Sequence, residues 1–351
     1  MDAITVLVTS VGGNVGQGVV KALRAARQVF HIVGVDMEPL SAGFSFVDAY
    51  YTVPRSGAPG FFERLEEIHN REGFEAIYVC SHAELDYFSS QRAELEHQLG
   101  ASVFANPPEV VAIGRDKLRT AEFLKNTGLP GPATALAVER RAVKHLIEKH
   151  GFPVILKPRT GASSLNVFVA KSMKEIAAAC TLIPDLIVQQ LLPDEKQEYT
   201  AGTVSDGEGK VRASIILRRD LLQGTTYRAE LVQEDGLTHQ VVRIVEALKA
   251  VGPCNVQFRL LDGVVYAFEI NPRFSGTSGI RYLYGFNDAE LVFELLRQSK
   301  EIVQPELRPG VVLRYWDEVH IAGATFDDLR AGAVEHRGTQ MLLAPALGSV
   351  G

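Results

Sequence analysis

Residues 254–275, CNVQFRLLDGVVYAFEINPRFS, constrain the fold of this chain more than any other stretch. Two runs, 255–261 and 264–270, alternate polar and apolar residues, and Asp262-Gly263 between them signals a β-hairpin. A plain two-residue Asp-Gly turn sets Gln257 opposite Phe268 and Arg259 opposite Tyr266, which mixes polar and apolar groups on both faces. A three-residue loop of Leu261, Asp262 and Gly263, with Gly263 left-handed in a bulge, moves the pairing by one residue. The second register is the expectation. It gathers Val256, Phe258, Leu260, Tyr266, Phe268 and Ile270 on an apolar face and Gln257, Arg259, Glu269, Asn271 and Arg273 on a polar one.

A carboxylate, two amides and two guanidinium groups are an unfavourable set for a half-buried sheet without a ligand. Mg²⁺ suits the oxygen donors, because it takes one or two carboxylates and completes an octahedron with water and substrate phosphates. Glu269, Gln257 and Asn271 are the metal-ligating candidates, with Mn²⁺ as a substitute ion, and Arg273 is placed to neutralise a transferring phosphoryl group. Spacing alone leaves an exposed hairpin with a salt bridge open as the alternative.

With 351 residues, 46% hydrophobic and 22% charged, the chain has the composition of an ordinary globular protein with room for two or three domains. A net charge of -6 removes any sequence-wide attraction to nucleic acid or to an anionic membrane. The first ten residues carry no basic segment ahead of an apolar core, and no apolar run nears the roughly 20 residues that span a bilayer. Cys80, Cys180 and Cys254 are far apart and fit reduced thiols in a cytoplasm.

Residues 4–8 form an apolar strand that runs into a glycine-bearing turn containing Gly12, Gly13, Gly16 and Gly18, and an amphipathic helix follows. Strand, turn and helix open a doubly wound sheet, but these glycines do not keep the G-x-G-x-x-G spacing, so Asp36 at the end of the second strand is weak support for a dinucleotide site. His82 and Glu84 follow a third strand, where a substrate crevice lies in such sheets; capping of the next helix is the alternative. Farther on, the apolar strand 154–156 ends in Lys157, a buried-strand lysine that calls for an anion, and the small-residue loop 160–164 has the backbone to wrap a phosphate. Arg218 or Arg219 can take a phosphate or carboxylate bidentately.

The string EINPRFSGTSG, with Gln257 on the preceding strand, resembles the metal strand of the ATP-grasp superfamily, in particular one synthetase half of the carbamoyl-phosphate synthase large subunit. The resemblance covers about residues 1–300. It implies an α/β and α+β architecture: a doubly wound pre-ATP-grasp domain over residues 1–105, a two-lobed ATP-grasp domain over 106–300 with lobes about 106–186 and 187–300, and a C-terminal extension over 301–351. It further implies ATP and Mg²⁺ as cofactors, with Lys117, Lys157, Ser163 and Ser164 on the phosphates, Gln190 and Leu192 at the adenine, and Glu198 at the ribose. Arg273 and Lys157 become the catalytic candidates, and Glu84, Arg219 and Arg259 the substrate candidates.

The expected function is an ATP-dependent carboxylate-amine or ammonia ligase that forms an amide through an acyl phosphate and releases ADP and phosphate. Activation of bicarbonate or carbamate is the alternative the resemblance brings. From other classes, a nucleotide-binding protein without catalysis and a nicotinamide-dependent oxidoreductase remain. Small-molecule acids and amines are the expected partners, without nucleic acid or membrane, and a homodimer is compatible with these bounds.

Overall fold

The computed structural model describes residues 3–161, 166–192 and 198–331. Strands β1 (Ile4–Thr9), β2 (Phe30–Asp36), β3 (Ala49–Thr52), β4 (Ala76–Tyr78) and β5 (Ser102–Phe104) form a parallel sheet in the order β3-β2-β1-β4-β5. Alternate β1 side chains enter different cores. Val6 and Val8 join one cluster and Leu7 the other, so both faces are covered and the run reads as continuously apolar.

The helix Asn14–Arg24 leaves β1 through the glycine-bearing turn, and the glycines serve packing. A Cβ on Gly16 would stand 2.3 Å from the Ser10 carbonyl oxygen, and one on Gly18 would stand 3.0 Å from the backbone nitrogen of Gly279. Asp36 turns back on the same loop, accepting from Gly12 N at 2.8 Å and Glu38 N at 3.0 Å. The acid at the end of β2 closes a turn.

Strands β6 (Thr134–Leu136), β7 (Val154–Pro158), β8 (Phe168–Ala170) and β9 (Leu186–Gln190) form an antiparallel sheet in the order β6-β9-β7-β8. The helices Arg140–His150 and Met173–Leu182 pack over it through Val143, Leu146 and Ile176. Ser172 accepts from Glu175 N at the start of the latter and caps it.

Strands β10 (Glu198–Ser205), β11 (Val211–Leu222), β12 (Thr225–Val232), β13 (Gly252–Leu261), β14 (Val264–Asn271) and β15 (Val311–Leu313) form an antiparallel sheet in the order β14-β13-β10-β11-β12-β15. One face packs on the helix Asp235–Leu248 through Tyr199, Ala201, Ile216, Val256, Phe258 and Ile270. The other face is divided. Val204, Ala213, Ile215 and Leu217 share a core with β1, while Glu198, Arg219, Gln257 and Arg259 line a cleft. Residues 311–313, beyond the expected ATP-grasp boundary, supply the sheet's last strand, β15, against β12.

The hairpin departs from the expected register. Leu261 pairs with Val264 across a two-residue turn in which Asp262 and Gly263 both have positive φ (52° and 74°), as a type I′ turn requires. Arg259 thus lies opposite Tyr266, and the register is restored by a bulge beyond Phe258, after which Gln257 faces Glu269 and Asn255 faces Asn271. Val265 and Ala267 take the apolar positions expected of Tyr266 and Phe268, and Phe268 turns with Glu269 to the cleft. The alternation misleads here because a bulge lets two successive side chains share a face.

Asn106 fixes the hairpin's far end. Its fully buried amide donates to the carbonyls of Pro253 and Pro272 at 3.0 and 2.9 Å and accepts from Val251 N at 2.7 Å.

Candidate active site

A cleft of about 780 Å³ lies between the four-stranded and six-stranded sheets and is closed at one end by loops after β1 and β4. Strand β13 runs along its floor. Arg259, Gln257 and Asn255 point the same way at alternate positions, so they span roughly 13 Å at about 3.3 Å of rise per residue.

At the end where the chain leaves β9 for β10, the hinge between the two sheets, Arg259 donates to the Leu192 carbonyl at 3.3 Å and lies 3.7 Å from the Glu198 carboxylate. Gln190 lines the cleft and accepts from Ala133 N through Oε1 at 3.2 Å; Leu192 is buried beside it. Ile155 from β7 and Phe268 from β14 add apolar surface to the same cleft.

Arg219 is buried, unlike an ordinary strand-end arginine, and joins two parts of the site. Its Nη2 donates to Glu198 at 2.6 Å and to Gln257 Oε1 at 2.8 Å, while Nη1 reaches the Thr226 hydroxyl at 3.1 Å. A guanidinium has donors only, so this contact turns the oxygen of Gln257 toward it. Arg218, by contrast, is an exposed partner of Glu230.

In the middle of the cleft, Asn271 donates to Glu269 Oε1 at 2.8 Å and accepts from Arg273 Nη2 at 3.1 Å. Glu269, Asn271 and Gln257 bring hard oxygen donors with a single carboxylate, the chemistry that suits Mg²⁺, and the amide oxygens of Gln257 and Asn271, held here by Arg219 and Arg273, would have to turn from those guanidinium groups to reach the ion. Among the described residues no group of three His, Cys, Asp or Glu side chains could hold a metal ion.

Lys157 stands at the end of β7 with 7% exposure and its ammonium 5.6 Å from the Phe268 ring centroid. Burial pulls its pKa down to about 8, against the opposing pull of Glu269 and with the help of Lys117. Lys117, the first residue of the helix Lys117–Asn126, donates to the Gly161 carbonyl at 2.9 Å and is also lowered by burial. Asp116 caps that helix and holds Arg159 at 2.7 Å, tying the helix start to the end of β7. Ser163 and Ser164 lie outside the described residues.

The far end holds Arg273, His82, Ser10, Asn14 and the segment Ser275-Gly276-Thr277. Arg273 donates to the Phe274 carbonyl at 2.6 Å, and among the described residues its buried Nε has no partner. Burial, then Arg273, Arg115 and Lys117, lower the His82 pKa to about 4, which makes the imidazole neutral at neutral pH. Glu84 is not on the cleft wall. Its carboxylate accepts from the Thr9 hydroxyl at 2.7 Å and Ser81 N at 3.2 Å, joining the ends of β1 and β4.

The structure thus brings Lys117, Lys157, Gln190, Leu192, Glu198, Arg219, Gln257, Arg259, Glu269, Asn271 and Arg273 to one cleft and leaves Glu84 behind it. Sequence reasoning passed over Asn255, although it continues the alternation of Gln257 and Arg259, and it placed Phe268 in the core.

Sequence comparison finds known domains over the elements that build this cleft. Residues 6–103 match the PylC-like N-terminal domain, 114–208 the RimK-like ATP-grasp domain, and 182–319 the family described as ATP-grasp in the biosynthetic pathway with Ter operon. The chain thus carries ATP-grasp domains and is homologous to the carbamoyl phosphate synthase large chain. It is 24% identical to that chain of Pseudothermotoga lettingae over 303 residues, covering 81% of this chain and 26% of the relative. For the Archaeoglobus fulgidus protein the figures are 24% over 299 residues, 78% and 27%. The chain therefore spans about a quarter of the length of these curated relatives.

Among solved structures, N5-carboxyaminoimidazole synthetase from Staphylococcus aureus complexed with ADP shares the fold at a TM-score of 0.69 and 14% identity, covering 89% of this chain and 82% of that one. The L-amino acid ligase from Bacillus licheniformis does so at 0.63 and 17%, covering 88% and 78%. No helix among the described residues is long and apolar enough to cross a membrane.

Proposed function

We propose that this protein is an ATP-dependent ligase that joins a small-molecule carboxylic acid to an amine or ammonia, using ATP with Mg²⁺. The observation that carries the reading is the meeting in one cleft of Lys117 and Lys157, the oxygen set Gln257, Glu269 and Asn271, and Arg273 with its unpartnered Nε.

The adenine lies between Ile155 and Phe268 near Gln190 and Leu192, and the ribose hydroxyls meet Glu198. Lys117, Lys157 and the backbone of Thr160 and Gly161 hold the phosphates. Gln257, Glu269 and Asn271 would hold Mg²⁺, which supplies charge neutralisation on the phosphates when bound.

A carboxylate oxygen of the acid attacks the γ-phosphorus, the bond to the ADP oxygen breaks, and an acyl phosphate forms. The amine then attacks the acyl carbon, phosphate departs and the nitrogen loses a proton. This chemistry needs positioning and charge neutralisation and no covalent link to the enzyme. Lys157 and Arg273 act on the charge of the transferring group from a poorly solvated wall, where such contacts are strongest. Homology to the carbamoyl phosphate synthase large chain supports a second reading, activation of bicarbonate or carbamate. The free thiols of Cys80, Cys180 and Cys254 suit a reducing cytoplasm.

The test is incubation with ATP, Mg²⁺, pooled amino acids and hydroxylamine, followed by nucleotide chromatography and mass spectrometry. ADP with a new hydroxamate supports the acyl phosphate and names the acid by mass. AMP instead refutes phosphoryl transfer. ADP that depends on bicarbonate, with no hydroxamate, favours the second reading.

A further inference from the structure

Asn255 lies one strand period beyond Gln257, lines the cleft, and is only 1% exposed. Its amide can adopt one orientation only. Oδ1 receives the Arg281 guanidinium at 2.5 Å and the Thr200 hydroxyl at 2.8 Å. Because a guanidinium carries donors alone, the atom facing it has to be the amide oxygen.

Arg281 is itself held. It is 2% exposed, its Nη1 donates to Asp288 Oδ2 at 2.8 Å, and the Ser278 hydroxyl donates to that same oxygen at 2.8 Å. Gly202 makes room for the guanidinium, since a Cβ there would stand 2.3 Å from Arg281 Cζ. With Oδ1 engaged on this side, the NH₂ group remains for the cleft, and among the described residues it donates to none.

We propose that Asn255 donates a hydrogen bond to the anionic oxygen that distinguishes ATP from ADP, on the γ-phosphoryl group and then on the acyl phosphate, with the buried Arg281–Asp288 pair as its positioning device. The proposal rests on the nucleotide reading above. Its geometrical support is the order along β13: Arg259 by the hinge, Gln257 in the metal set, and Asn255 nearest the end where Arg273 and His82 stand. Asn255 is no member of the metal set, because its oxygen is turned away from the cleft.

The discriminating variant is Asn255→Asp. It keeps an oxygen toward Arg281, where it gains an ion pair, and exchanges the N–H that faces the cleft for a second carboxylate oxygen. Calorimetric titration with Mg²⁺ and either ADP or the β,γ-imido analogue of ATP reads the effect directly. We expect ADP affinity to change by less than about threefold and affinity for the analogue to fall by more than about tenfold. Asn255→Ala should move the same ratio in the same direction by a smaller factor, and it carries the test if the aspartate variant fails to fold. If both variants keep the parent's ratio, the role of Asn255 is refuted while the nucleotide reading stands. If the unaltered protein binds neither nucleotide, that reading falls and the role of Asn255 falls with it.

Discussion

Lys157 owes its chemistry to where β7 ends. A strand as apolar as Val154, Ile155 and Leu156 carries the following residue into the interior, and burial lowers that ammonium to about 8. Below that pH it is a cation that attracts phosphate; above it the cation is lost. Nucleotide affinity should therefore fall as pH rises from 7 to 9, and binding near pH 8 should be accompanied by proton uptake, because a bound anion favours the charged lysine. Calorimetry in buffers of different ionisation enthalpy measures that uptake, and Lys157→Met should weaken binding and flatten the pH response. A wild-type profile that is level across this range refutes the assignment. Glu269 predicts a different separation. As the single carboxylate of the oxygen set, its replacement in Glu269→Ala should lower turnover by at least about a hundredfold while ADP affinity changes by less than about tenfold. Near-normal ATP-dependent turnover in that variant would remove the phosphoryl-transfer reading.

Elements set what those residues can reach, and here close backbone approach matters as much as apolar area. The helix Asn14–Arg24 lies against the helix Ser278–Arg281 with Gly18 and Gly279 at the contact; a Cβ on Gly279 would be 2.9 Å from Gly18 Cα. Gly18→Val raises intrinsic helix propensity yet should destabilise the protein by about 1–3 kcal/mol, because backbone cannot yield as a side chain does. A urea unfolding curve unchanged from the parent would show that the contact is loose. The same element explains what a sequence conveys. Strand, turn and helix were legible in residues 4–24, and the spacing of the glycines spoke against a dinucleotide site; Gly13, Gly16 and Gly18 each answer to a neighbouring backbone atom and Gly12 to the Ser41 side chain. The hairpin was half legible. That Gln257 and Glu269 share a face followed from the polar alternation, but their direct pairing did not, and the extra residue at Phe268 left no local mark, because Tyr266, Ala267 and Phe268 suit either face by composition. Asn255 was readable by period and overlooked, since its use depends on Arg281, which lies 26 residues away in sequence.

At the scale of the whole molecule, the end of the cleft opposite the hinge is lined by the turn after β1, the loop after β4 and the Ser275-Gly276-Thr277 segment, and the chain just past β15 braces the first and last of these. Nothing local in residues 301–319 announces this, because an edge strand of three residues joins its sheet only through non-local pairing with β12. Arg314 is the residue that ties the stretches together. Its backbone N–H donates to the Tyr227 carbonyl at 2.8 Å, Nη1 donates to Asn14 Oδ1 at 3.1 Å, and Nη2 donates to the Gly276 carbonyl at 2.7 Å. Two charge-assisted contacts from one side chain link the two cleft walls, and each contact of that kind contributes about 1.5–3 kcal/mol when shielded from water, less where the Asn14 side is open. Arg314→Ala should therefore raise amide exchange at residues 10–14 and 275–280 together, while the Lys157 strand and the hinge keep their protection. If Mg²⁺ with the β,γ-imido analogue of ATP restores protection at both segments of the variant, the far end is closed by the nucleotide as well as by Arg314. Exchange that rises at only one segment would mean that the two walls are independent and that Arg314 merely anchors its own strand.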